Sequence, residues 1–193
     1  MKKGLLIVVS GPSGVGKGTI CNTLINKNKD IYMSVSATTR KPRNGEIHGK
    51  SYYFLSEEDF KQKIKNDEFI EYAKVFNNYY GTLKSVIMEK IEAGKNVLLE
   101  IDVQGALQVK EKYKEAVMIF ILPPSLEVLK ERIIGRGSEN DKTLNIRLNE
   151  AQNEIDMLHN YNYSVKNADL KTACKQVEAI IIAETCKIKI KKQ

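Results

Sequence analysis

Residues 5–10 read as a buried strand, apolar on both faces. They run directly into Gly11, Pro12, Ser13, Gly14, Val15, Gly16, Lys17, Gly18 and Thr19, after which a helical pattern continues to about residue 26. This succession of strand, glycine loop and helix constrains the fold more than any other feature. Glycines let the backbone turn its N–H groups toward phosphate oxygens, the helix N-terminus adds positive potential, and Lys17 can reach the outer phosphates. A dinucleotide-binding GxGxxG is excluded, because counting from Gly14 the sixth residue is Thr19 rather than Gly or Ala. One position departs from the usual loop. Where Ser or Thr would follow the lysine and touch Mg²⁺, this chain has Gly18, and the hydroxyl arrives one residue later. Thr19 is therefore expected to bond a phosphate, with Mg²⁺ held by water and by the nucleotide phosphates.

Further apolar runs at 31–36, 97–101, 117–122 and 163–166 have the continuous character of strands buried on both faces. Between them lie helical patterns. Ser56 with Asp59 resembles a capping box, Thr82 is a candidate cap for a helix that Gly94 would stop, and Ser125 starts another that ends near Gly135. A long helix carries Leu144, Leu148, Ala151, Ile155 and Leu158 in register, and a last one runs from about 170 to 188. The alternation predicts an α/β fold, a parallel sheet with helices on both faces. Two stretches interrupt it: residues 37–55 and 69–80, rich in Tyr, Thr and turn residues, read as a small insertion of mixed strands, and 135–143 reads as a mobile connection.

The chain has 193 residues, enough for one domain with small insertions. It carries 31 Lys plus Arg against 24 Asp plus Glu, for a net charge of +7. That balance invites a nucleic-acid reading, but the lysines are interspersed with acids, and no nucleic-acid partner is expected. No apolar run approaches the ~20 residues of a membrane span. Cys21, Cys174 and Cys186 are odd in number and widely spaced, as reduced thiols would be, and with His48 and His159 they supply too little for a zinc site. A cytoplasmic protein with no membrane partner is expected. The only arginines are Arg40, Arg43, Arg132, Arg136 and Arg147, and they fall in two segments.

Several strings in order, Ser36-Ala-Thr-Thr-Arg40-Lys-Pro-Arg43-Asn-Gly-Glu46, Tyr52-Tyr-Phe, Phe69-Ile-Glu71, Tyr79-Tyr-Gly81-Thr82, Ile101-Asp102-Val-Gln-Gly105, Gly135-Arg136-Gly137 and Arg147-Leu148, together resemble the guanylate kinase family over nearly the whole chain. The resemblance implies a P-loop sheet core (1–36, 83–134 and 144–193), a small mixed-β GMP-binding subdomain (about 37–82) and a mobile lid (about 135–143). It implies transfer of the γ-phosphoryl group of ATP, as MgATP, to GMP or dGMP, in purine nucleotide metabolism and GMP recycling. Ser36, Arg40, Arg43, Tyr52, Glu71, Tyr80, Thr82 and Asp102 are then expected at GMP, and Asn167 joins the loop residues 11–19 at ATP. Lys17, Arg43, Arg132, Arg136 and Arg147 would act on the transferring phosphate. Asp102 would support Mg²⁺ through water, touch GMP, or both.

The chemistry of these residues agrees with that assignment. Guanine presents N1–H and N2–H₂ side by side, which one ionised carboxylate such as Glu71 can accept, whereas a hydroxyl of Ser36 or Thr82 can donate to O6. The acceptor phosphate has a second pKa near ~6, so no general base is needed at neutral pH. The obstacle is repulsion between two polyanions, which guanidinium forks can bridge. Two other readings compete: a kinase for another nucleoside monophosphate such as AMP or dTMP, which the Glu71, Ser36 and Tyr52 set disfavours, and an inactive scaffold module, which intact Lys17, Arg43, Arg136 and Arg147 disfavour. A homo-oligomer is left open.

Overall fold

The computed structural model describes residues 3–75, 77–135 and 141–188. Its centre is β1 (Leu6–Ser10), every residue of which is buried. Successive side chains of a strand point to opposite faces. Accordingly Leu5, Ile7 and Val9 pack with α1 (Lys17–Lys27), α5 (Leu126–Ile134), α6 (Asp141–Asp156) and α7 (Leu170–Cys186) on one face. Leu6 and Val8 pack with α3 (Lys84–Glu92) and α4 (Val103–Lys112) on the other. Two covered faces are what an unbroken apolar strand requires.

The sheet is parallel in the order β2-β7-β1-β8-β9, with β2 at Ile31–Met33, β7 at Asn96–Glu100, β8 at Val117–Leu122 and β9 at Tyr163–Lys166. The chain leaves β1 toward one side of the sheet and later returns to pair on its other side, so a crevice opens at the carboxyl ends of the central strands. Into that crevice the sheet delivers the glycine loop after β1, Glu100 and Asp102 from the end of β7, and Asn167 just past β9.

A second sheet, in the order β4-β3-β6-β5, is built from β3 (Ala37–Thr38), β4 (Tyr53–Phe54), β5 (Phe69–Val75) and β6 (Asn78–Leu83). It is mixed: β3 and β4 run parallel, the other pairs antiparallel. Its core is aromatic. Phe60 from α2 (Glu57–Lys65) stacks on Phe69 at 4.3 Å between ring centroids and on Tyr79 at 5.4 Å.

The expected apolar run at 31–36 is a strand only over its first half: β2 ends at Met33, and the chain enters the small sheet at Ala37, just past the run. Thr82 is not a helix cap. It lies within β6, and the residue preceding α3 is Leu83, which makes no side-chain cap bond. Ser56 and Ser125 do cap their helices, through Asp59 N–H at 3.0 Å and Val128 N–H at 3.3 Å. Asp102 sits beyond the end of β7, where it caps α4.

Candidate active site

The glycine loop takes its shape from two positions that tolerate no side chain. Gly11 has φ +138°, and a Cβ there would lie 2.4 Å from the Ile121 carbonyl oxygen. Gly16, the residue before α1, has φ +98°, and its Cβ would come within 2.6 Å of Asn167 Nδ2. The loop's N–H groups and the α1 N-terminus therefore share one concavity. Lys17 Nζ donates to the carbonyls of Gly11 at 2.5 Å and Pro12 at 3.1 Å. Burial lowers its pKa, while Glu154, Glu100 and Asp102 pull the other way. Val15 contributes only backbone, its side chain being buried in the core.

Asn167 and Arg132 brace this loop from outside. Asn167 Nδ2 donates to the Val15 carbonyl at 2.8 Å; Arg132 donates to the same oxygen at 3.3 Å and to the Asn167 carbonyl at 3.0 Å. Together with Gly14, Gly16, Thr19 and Ala168 they line one cavity. Arg132 was expected at the transferring phosphate, and its guanidinium is engaged here by loop carbonyls. Ser13 and Thr19 are exposed at the rim.

Gly18 acquires a reason. A Cβ at this position would stand 3.2 and 3.4 Å from the two carboxylate oxygens of Glu100. The acid at the end of β7 thus crowds the space that a hydroxyl-bearing side chain after Lys17 would take.

A second cavity is lined by Ser36, Tyr52, Glu71, Tyr80, Glu100 and Asp102 among others, and it adjoins the glycine loop through Glu100, whose carboxylate flanks Gly18. Glu71 forms its wall and is only 5 % exposed. Burial, with Asp102 adding to it, raises the carboxyl to about 7, against the opposing effect of hydrogen bonds from Thr82. The Thr82 hydroxyl donates to Glu71 Oε1 at 2.6 Å. Its single proton is therefore engaged by Glu71, whereas Ser36 lines the same cavity. Tyr52 and Tyr80 meet edge to face at 6.2 Å, and the Arg40 guanidinium lies 5.4 Å over the Tyr52 ring. Arg40 is gripped bidentately by Glu46 at 2.7 and 3.0 Å, and the Arg43 N–H donates to the same carboxylate at 2.7 Å. That pairing holds Glu46 down at about 2.

The comparisons with known proteins fall on this geometry. The family model described as guanylate kinase matches residues 3–184. The chain belongs to the guanylate kinase family. It is 56 % identical over 188 residues to the guanylate kinase of Clostridium tetani, covering 97 % of this chain and 90 % of that one. To the Clostridium acetobutylicum guanylate kinase it is 57 % identical over 187 residues, covering 97 % and 89 %. The crystal structure of guanylate kinase from Anaplasma phagocytophilum matches with a TM-score of 0.76 at 35 % identity, covering 96 % of this chain and 88 % of that chain.

Around the guanylate kinase fold the arginines are distributed unevenly. Arg43 is exposed in the small subdomain, and Arg147 is exposed on α6. Arg136 and most of the expected lid lie outside the described residues. Sequence reasoning missed Glu154, two helical turns after Arg147, whose carboxyl is raised to about 7 by burial and lowered by Lys17. The seven-residue spacing from Arg147 was the available signal, since it returns a helix to the same side. Glu46 closes the string that begins at Ser36, but the sequence assigned it no role; it orders both Arg40 and the Arg43 backbone, at a spacing that no helix or strand period singles out. Among the described residues no three His, Cys, Asp or Glu could hold a metal ion, and no helix is long and apolar enough to cross a membrane.

Proposed function

We propose that this chain transfers the γ-phosphoryl group of ATP to GMP, giving ADP and GDP, with dGMP as a second acceptor. One observation carries the assignment of the acceptor: a buried carboxylate, Glu71, in the wall of a cavity adjoining the glycine loop. Its ionised form accepts the N1–H and N2–H₂ of guanine, while Ser36 donates to O6. Adenine offers an acceptor nitrogen at the same edge and would leave Glu71 unpaired, which is the costly mismatch in a buried site.

ATP lies along the loop residues 11–19, with its base toward Asn167 and its outer phosphates at Lys17. Arg40, Arg43, Tyr52 and Tyr80 receive the GMP phosphate. The loose transition state spreads charge over the equatorial oxygens, so positioning and neutralisation supply the catalysis. Lys17, Arg43, Arg136 and Arg147 provide that charge, and Arg132 acts by holding the loop. The donor set suits Mg²⁺, which takes hard oxygens and usually one or two carboxylates beside substrate phosphates. Glu100 and Asp102 would hold it through water, and when bound it neutralises developing charge between the phosphates. The three free cysteines accord with a reducing, cytoplasmic setting.

A coupled assay of ADP release from MgATP tests the reading, with GMP, dGMP, AMP, CMP, UMP and dTMP offered in turn. Strong turnover with GMP is expected. Turnover with AMP or dTMP but not GMP would overturn the acceptor assignment, and silence with every acceptor would mark an inactive module.

A further inference from the structure

Three consecutive residues of β5, with Glu71 in the middle, are each held by α4 in a different way. Ile70 is the extra residue of a bulge: Phe69 pairs with Leu83 and Glu71 with Thr82 across the shift. Bulges re-aim side chains, and Ile70 leaves the aromatic core of the small sheet to pack in the large sheet's core with Ala106 and Val109 of α4. Tyr72 is held by its backbone. Its N–H donates to Gln108 Oε1 at 3.2 Å and its carbonyl accepts from Gln108 Nε2 at 2.8 Å. Because β5 is an edge strand, this side-chain amide takes the place of a neighbouring strand.

Between these two anchors, Glu71 faces Gly105. A Cβ there would lie 2.7 Å from Glu71 Oε2 and 3.3 Å from its Cδ. Gly105 has no left-handed φ to demand glycine, and alanine would suit a helix better. What excludes a side chain is the carboxylate. The Gly105 N–H also donates to Asp102 Oδ1 at 2.8 Å, so one residue of α4 adjoins two of the three acids that line the acceptor cavity. Gly105 and Gln108 are three apart and lie on the same side of the helix.

We propose that Gly105 and Gln108 are positioning residues for acceptor specificity, through which α4 sets where the Glu71 carboxylate stands against the guanine edge; this rests on Glu71 being the group that meets guanine. The recognising strand is thereby referenced to the large sheet that carries the glycine loop.

Gly105→Ala and Gln108→Met test this, the second removing both hydrogen bonds while keeping length and helix preference. Measured are KM for GMP and ATP, kcat, the ratio of kcat/KM for GMP over IMP, which lacks the 2-amino group, and the melting temperature. Gly105→Ala is expected to raise KM for GMP on the order of tenfold, as mispairing one buried polar contact does. KM for ATP should stay within about twofold and the GMP preference over IMP should narrow, whatever balance the melting temperature strikes between the crowded contact and the better helix former. Gln108→Met should raise KM for GMP severalfold, and by less in a Glu71→Gln background. An unchanged KM for GMP in both variants, where Glu71→Gln alone raises it, would overturn the proposal and leave the guanine reading intact. Equal rises for ATP and GMP with a lower melting temperature would also overturn it, as general loosening. Should Glu71→Gln leave KM for GMP unchanged, the guanine reading falls and the proposal with it. If Gly105→Ala does not fold, Gln108→Met decides.

Discussion

Lowering the pH from 8 to 6 is expected to weaken GMP binding far more than ATP binding, and the cause is a single carboxyl. Glu71 is raised from 4.5 to about 7, chiefly by burial. At ~1.4 kcal/mol per pKa unit, ionising it inside the cavity costs about 3 kcal/mol more than in water. For the protein alone, the folded carboxyl keeps a proton between 4.5 and 7 that the unfolded chain has released. Its contribution to stability is therefore present in full below 4.5 and lost as the pH rises through about 7. GMP works in the opposite direction, because the guanine donors need the ionised form. With the group half protonated at pH 7 and about nine-tenths protonated at pH 6, GMP binding should expel roughly half a proton at the first and nearly one at the second. KM for GMP should rise about fivefold from pH 7 to 6, and about tenfold from pH 8 to 6, then level off at the pKa of the complex. Calorimetry in two buffers of different ionisation enthalpy counts the protons. Glu71→Gln is the reference, since it retains the GMP phosphate, which itself titrates near ~6. Equal proton release from the two proteins between pH 6 and 8, or a KM for GMP that is flat over that range, would refute the reasoning.

Replacing Arg43 by Lys keeps the charge and removes the planar fork, so kcat should fall by at least about tenfold in steady-state assays; near-normal kcat would show that fork geometry is dispensable. Asn167→Ala removes the 2.8 Å bond to the Val15 carbonyl, leaving Arg132 as its partner. A loss of about 1–3 kcal/mol in denaturant unfolding is expected, with KM for ATP raised and KM for GMP little changed. Equal rises in both would place Asn167 outside the ATP side.

What could be read from the sequence was local or repetitive. The glycine loop is a contiguous string whose neighbours on either side declare strand and helix. The run at 117–122 is β8 to the residue, because a strand buried on both faces leaves an unbroken apolar stretch; residues 163–166 are β9 to the residue as well, although only Val165 of them is buried. The misread positions were decided by distant partners. Thr82 has the chemistry of a cap and the branching of a strand residue, and the choice was made by pairing with β5, where its hydroxyl donates a hydrogen bond to Glu71. The run at 31–36 gives no sign that the chain changes sheets after Met33. Gly105 was visible only as a letter in a motif, since its reason is a carboxylate 34 positions earlier in the chain. The strand order of the large sheet has no local signature at all.

Gly18 and Glu100 occupy one volume between them, so their substitutions cannot be independent. A serine or threonine installed at 18 would put its Cβ 3.2 and 3.4 Å from the Glu100 carboxylate oxygens, so the acid must give by a few tenths of an ångström to admit it. Shortening that acid to aspartate withdraws the carboxylate and opens the contact. What a side chain at 18 costs therefore depends on the length of the acid at 100, and the double change should depart from the sum of the two single ones.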